Sequence, residues 1–200
     1  MKKQSDVVSR TSRFVTKLFR ERLPGWIRYH DLAHTSEVVA ATKEIGTGSR
    51  LNENQMEVVL IAAWLHDTGY TVLAKGHEEV SVEIATEFLR GIGYPERGIA
   101  RVTGCIRATR VPQRPRTLME RVLADADLVS LGKRSFFRLN DRLKLEIELR
   151  EGVILEDRLW LRRSHRFLKN HRFHTPYGRG KIEKGRLANV AKLKRMLEER

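Results

Sequence analysis

The chain has 200 residues, enough for one domain with a sizeable core, and its 39 Lys and Arg against 25 Asp and Glu leave a net charge of +14. A field of that sign favours anionic partners such as nucleotides, nucleic acid or acidic surfaces, and it says nothing about fold. One cysteine, Cys105, excludes an intramolecular disulfide and a cysteine-based zinc site; with no signal-peptide-like start and no membrane-length apolar run, the composition points to a cytoplasmic protein with no membrane partner.

Asp6–Leu23 carries Val7, Val8, Phe14, Val15, Leu18 and Phe19 at roughly helical spacing, and Pro24-Gly25 stops it. A link over Trp26–Leu32 leads to a second amphipathic segment, Ala33–Gly46, and then to a turn over Gly46–Arg50. Val58–Tyr70 follows, with Asn52 or Asn54 as its cap. Its eight apolar residues from Val58 to Leu65 run without interruption, as in a helix buried on most sides. They deliver His66-Asp67 before Gly69 breaks the segment and opens room beside it. Further helices are predicted over His77–Leu89 and from Tyr94-Pro95 to a break near Val111-Pro112. Pro115 suits the first turn of a helix over Arg116–Leu131, which Gly132 closes. Lys133–Arg150, Glu156–Asn170 and Lys181–Arg200 read as charged amphipathic helices. No repeat and no convincing strand pair interrupts this series, so the fold class is all-α.

Several polar residues sit where polar groups cost most. His30 and His34 flank the start of the second helix, His66-Asp67 end the buried one, and Asp125 and Asp127 lie inside an otherwise apolar stretch. Buried carboxylates side by side are costly and mutually repulsive without a counter-charge. A mixed set of imidazole and carboxylate suits a divalent ion such as Mn, Fe, Co, Ni or Zn, with Mg less favoured by the histidines.

His34, then His66-Asp67, then Asp127 resembles the H…HD…D signature of the HD-domain metal-dependent phosphohydrolase superfamily. Tyr29-His30-Asp31…His34 is similar to its first-helix motif, Leu65-His66-Asp67-Thr68-Gly69-Tyr70 to its H-D-x-G-Y, and Asp125-Ala126-Asp127-Leu128 to its D-A-D-x. The resemblance covers Arg28–Gly132. It implies an HD-domain-like helical bundle with residues 28–132 as the core, 1–27 as an N-terminal helix packed on it, and 133–200 as a C-terminal helical extension of the same domain. It further implies one divalent metal ion held by His34, His66, Asp67 and Asp127, with Asp125 as a supporting or capping group. Asp67, or a carboxylate close by, would orient the attacking water, and His30 would protonate the leaving oxygen. His77 falls where two-metal members add a histidine, but Thr109 stands where another is often found, which leaves a second metal open. Arg110, with Arg107 or Lys75, is available to a phosphate. Pro115-Arg116-Thr117 and Phe167-Leu168…His171…Phe173-His174-Thr175-Pro176-Tyr177 resemble a bacterial subgroup of predicted HD phosphohydrolases. The implied activity is hydrolysis of a phosphomonoester or phosphodiester, a nucleotide or related small anion, with a homo-oligomer compatible.

Each feature also has a plainer reading. His66-Asp67 suits a helix C-terminus, where an imidazole favours the dipole, and His77-Glu78 suits a helix start. His30, Arg107 and Arg110 are compatible with a solvated surface, His171 and His174 with loop packing, and Cys105 with the core. The net charge motivates an alternative class, a nucleotide- or nucleic-acid-binding regulator without turnover, although no aromatic-basic alternation or known nucleic-acid module supports it. An oxygen-using di-iron enzyme would need the histidine that Thr109 replaces.

Overall fold

The computed structural model describes residues 6–199; Met1–Ser5, part of the expected N-terminal unit 1–27, and Arg200, the end of the last expected segment, lie outside the described residues. Among the described residues every regular element is helical: α1 (Asp6–Arg22), α2 (Leu32–Gly48), α3 (Glu53–Leu65), α4 (His77–Gly91), α5 (Glu96–Arg107), α6 (Leu118–Asp127), α7 (Phe136–Glu151), α8 (Asp157–Asn170), α9 (Pro176–Lys181) and α10 (Glu183–Glu198). Two 3-10 turns, Thr68–Thr71 and Val129–Gly132, follow α3 and α6. No helix among them is long and apolar enough to cross a membrane.

Helix α3 is the central post. It packs against α1, α2, α4, α5 and α6, which explains why its sequence is apolar on all sides. Val58, Val59, Ile61, Ala62, Ala63 and Leu65 are buried with Val38 and Ile45 of α2, Val102 and Ile106 of α5, and Val122 and Leu123 of α6. A reciprocal capping box between Asn52 and Gln55 starts α3, so Asn52 is the cap. The helix ends at Leu65, and His66 and Asp67 form the junction to the 3-10 turn.

Helix α6 begins later than Pro115 suggests. Thr117 and Glu120 form its capping box, and two satisfied backbone donors fix the start there. It stops at Asp127 and gives way to the 3-10 turn before Gly132. The C-terminal part builds a second apolar cluster from Leu131, Phe136, Leu161, Leu168, Phe173 and Leu193. Helix α10 lies against α8 and the Val129–Gly132 turn. A Cβ on Gly185 would meet the Gly132 carbonyl oxygen at 2.0 Å, so only glycine permits this approach. Helix α9 is an element the sequence reading did not separate; Thr175 caps it and Pro176 opens it.

Candidate metal centre

Three helix termini deliver the site. Asp31 caps α2 by accepting from the His34 amide at 3.0 Å, which sets His34 in the first turn. Asp31 is itself held by Arg142 of α7 at 2.7 Å. His66 and Asp67 leave the end of α3, and Asp127 is the last residue of α6.

The donor atoms of His34, His66 and Asp127 all lie within 4.8 Å of one another. Asp67 Oδ2 is 3.4 Å from His34 Nε2 and 3.1 Å from His66 Nε2. Asp127 Oδ1 is 3.4 Å and 3.5 Å from the same two nitrogens. His66 Nδ1 donates to the Ala63 carbonyl at 2.8 Å, which turns the Nε2 lone pair toward the cluster. His34 Nε2, His66 Nε2 and Asp67 Oδ2 are buried with no hydrogen-bond partner of proper geometry among the described residues. Orphaned buried polar atoms are rare because each costs about 1–3 kcal/mol, and three converging on one point ask for a cation. Two imidazole nitrogens and two carboxylates form a set that fits a divalent transition metal.

The electrostatics agree. Burial disfavours a charged imidazole at His34, but the adjacent Asp127 and Asp67 carboxylates outweigh it and raise its pKa to about 9. The same opposition raises His66 well above the usual imidazole range. Burial likewise opposes ionisation of Asp67 and Asp127. The His66 charge and contacts from His34, His66 and His77 nevertheless hold Asp67 well below the carboxylate range, and His34 and His66 hold Asp127 at about 2. The site attracts positive charge, whether as protons on the rings or as an ion that displaces them.

Asp125 and Asp127 have separate jobs. Asp125 turns away from the cluster and accepts from the His174 amide at 2.7 Å, the Thr175 amide at 2.9 Å and the Thr175 hydroxyl at 2.7 Å. It ties the segment before α9 to α6. His174 sits there as backbone, and its neighbour His171 packs edge-on against Phe173.

His77 opens α4, with Nδ1 2.9 Å from the Ala74 carbonyl and Nε2 3.4 Å from Asp67 Oδ1. Thr109 donates its hydroxyl proton to the Ile106 carbonyl at 2.8 Å and supplies no imidazole for a second ion. Gly69 does not open room for a substrate. A Cβ there would meet the His77 carbonyl oxygen at 2.0 Å, so this glycine lets the start of α4 close onto the turn and brings His77 to Asp67.

His30 is held by partners the sequence reading missed. Its Nδ1 is 2.5 Å from Glu146 Oε1, and Glu146 Oε2 accepts from the amides of Arg28, Tyr29 and His30 at 2.9, 2.7 and 3.0 Å. Glu146 is 1% exposed, and these contacts hold its carboxyl near a pKa of about 2 against the opposing effect of burial. On the other side, Tyr70 stacks between His30 and His77 with ring centroids 4.1 Å from each, and its hydroxyl is 3.2 Å from His30 Nε2. No local signal marks Glu146. Tyr70 was visible only as the last letter of a motif.

Arg110 is not brought to this cleft. It is exposed and lines a separate cavity of about 550 Å³ together with Arg107, Arg114 and Arg116. Val111 and Pro112 form the wall shared with the metal cleft.

The chain is similar over its length to the crystal structure of a predicted HD superfamily hydrolase from an uncultured Thermotogales bacterium, with a TM-score of 0.62 and 24% identity, covering 94% of this chain and 91% of that one. No curated protein matches it. A family model described as the HD domain matches residues 31–132, just over half of the chain and the part that carries both histidines and both aspartates of the cluster. This protein belongs to the HD-domain family.

Proposed function

We propose that this HD-domain protein is a metal-dependent phosphohydrolase acting on a phosphomonoester or phosphodiester, such as a nucleotide or a related small anion. The observation that carries the reading is the convergence of His34 Nε2, His66 Nε2 and Asp67 Oδ2, buried and unpartnered, behind a cleft that Asp67, Asp127, His30 and His77 line. His34, His66, Asp67 and Asp127 would hold one divalent ion. When bound, such an ion supplies Lewis acidity toward a phosphoryl oxygen and lowers the pKa of water.

The remaining roles belong to the chain. Asp67 has a second oxygen, Oδ1, facing His77, and the pair is suited to orient an attacking water by accepting and relaying its proton. His30 faces the cleft from the other side of Tyr70, with Nε2 as the atom that gives a proton to the departing oxygen. Glu146 keeps the His30 ring oriented, in the manner of a carboxylate behind a catalytic imidazole. Burial first, and then the Asp67 charge, raise the Tyr70 phenol above its ordinary value, so it stays protonated and acts as a rigid spacer between the two rings. Arg110 faces the neighbouring cavity, and we assign it no contact with the phosphoryl group.

The test combines metal analysis of the purified protein with a hydrolysis screen over mono- and cyclic nucleotides. Wild-type protein should release phosphate or open a cyclic ring, and His66→Ala should lose that turnover while keeping its helical circular dichroism. Unchanged turnover in His66→Ala would overturn the reading. The arginine-lined cavity favours a second reading, a nucleotide- or nucleic-acid-binding regulator. Strongly salt-dependent RNA binding without any turnover would decide for it.

A further inference from the structure

The loop that joins α5 to α6 has two faces, and only one of them belongs to the metal cleft. Thr109 and Gln113 line the cleft, whereas Arg107, Arg110, Arg114 and Arg116 line the separate cavity of about 550 Å³. Val111 and Pro112 border both. Local backbone makes this partition. Arg107 ends α5, and the Arg110 amide donates to the Arg107 carbonyl at 3.3 Å, so the turn carries on and this i, i+3 pair shares a face. Residues 113–116 run without helix, and their lining alternates, with Gln113 on the cleft and Arg114 and Arg116 on the cavity.

The loop is anchored rather than free. Thr109 donates to the Ile106 carbonyl at 2.8 Å, and Gln113 Nε2 donates to the Ala124 carbonyl at 3.0 Å. The start of α6 closes the cavity: Glu120 Oε2 accepts from the Arg116 amide at 2.6 Å, and Glu120 Oε1 lies 3.6 Å from where a Cβ on Gly104 of α5 would stand.

Four guanidinium groups therefore face one carboxylate, and that carboxylate is already engaged with the amides at the start of α6. Arg107 has an answer in Glu79, whose two oxygens lie 3.1 and 3.0 Å from its Nε. Among the described residues Arg110, Arg114 and Arg116 make no side-chain hydrogen bond or ion pair, and all three are exposed. A concave surface lined by one sign of charge concentrates the opposite ion, and guanidinium forks match phosphate oxygens. The volume is far more than one phosphate fills and lies in the range of ligand pockets. No aromatic ring lines the cavity, so it lacks the stacking platform of a single-stranded nucleic-acid groove.

We propose that the α5–α6 cavity is a binding site, separate from the metal centre, for a compact polyphosphate group, the phosphate chain of an inorganic polyphosphate or of a nucleoside triphosphate. Arg110, Arg114 and Arg116 grip the chain, and Arg107, oriented by Glu79, closes one side. The proposal does not depend on hydrolysis at the metal cluster, because the two sites lie on opposite faces of one loop.

The test is calorimetric titration of the full chain, freed of metal by chelator, with orthophosphate, tripolyphosphate and the four ribonucleoside triphosphates at physiological salt. Tripolyphosphate should bind at one site, about tenfold or more tighter than orthophosphate, since each further charge-assisted contact adds to the grip. Arg110→Gln with Arg114→Gln should weaken it by about tenfold or more, and Arg116→Gln should weaken it independently. Arg162→Gln with Arg195→Gln removes the same charge from exposed positions that line neither cavity, and should change affinity by less than about twofold. Equal affinity for tripolyphosphate and the nucleotides identifies the phosphate chain alone as the ligand; a tenfold preference for one nucleotide identifies that nucleotide as its source. No binding of tripolyphosphate, equal binding of orthophosphate, or loss no greater than in the control variant would overturn the site. Oligouridylate binding that the cavity variants weaken, without tripolyphosphate binding, would overturn it in favour of a nucleic-acid groove.

Discussion

Glu146→Ala is the substitution that best separates this structure from its sequence motif. The side chain lies in α7, outside the matched family region, and is 1% exposed. It accepts from three consecutive backbone amides and pairs with the His30 ring. Alanine would leave all four groups without their acceptor, at a cost of about 3–5 kcal/mol, as for a buried ion pair broken from one side. Glu146→Gln keeps an oxygen for the amides but loses the charge, and should cost about half as much. The pH dependence has a definite sign. The folded-state pKa is depressed to about 2 from 4.5, so the charge contributes stability above about pH 4.5 and loses it as pH falls toward 2. A shift of that size corresponds to about 3 kcal/mol. Urea unfolding by circular dichroism at pH 7 should therefore rank wild type above Glu146→Gln and Glu146→Ala lowest. The gap between wild type and Glu146→Gln should close as the buffer is taken from pH 5 toward pH 2. Coincident unfolding curves at pH 7 would refute the view that this carboxylate holds the His30 loop.

Two further outcomes follow from the same geometry. A divalent metal at about one hundred times its Kd should stabilise the wild-type protein by about 2.7 kcal/mol, read as a rise in Tm that chelator reverses; His34→Ala and Asp127→Ala should lose the rise while remaining helical. Gly69→Ala places a Cβ 2.0 Å from the His77 carbonyl oxygen, and the turn and α4 must part to accommodate it. Its Tm should fall, by about 2 kcal/mol of stability or more, and turnover should fall with it because His77 is drawn away from Asp67.

What was legible in the sequence was whatever local chemistry decides. The unbroken Val58–Leu65 run could only be a buried segment, and α3 is surrounded by other helices. The all-α class followed from periodicity and turn residues, and His34, His66, Asp67 and Asp127 sit within short, recognisable windows. Errors arose where two local signals competed. Pro115 offered one start for α6, and the Thr117–Glu120 box, with two satisfied backbone donors, set it later. Gly69 was read as open space because a glycine gives no sign of whether its bareness admits a ligand or another backbone.

The part that stayed hidden is the part that reverses the local rule. Along α7, Leu145 and Leu149 are 43% and 45% exposed while Glu146 between them is buried. An amphipathic reading places those leucines inside and that glutamate in solvent, since burying an uncompensated carboxylate costs several kcal/mol. The inversion persists because the Arg28–His30 loop arrives with three amide donors and an imidazole, and the compensation comes from residues 116 to 118 positions away. No window on one segment contains both halves of that exchange. A residue that breaks the local pattern is therefore the place to look for what this chain adds to the HD core, and Glu146 is one such place.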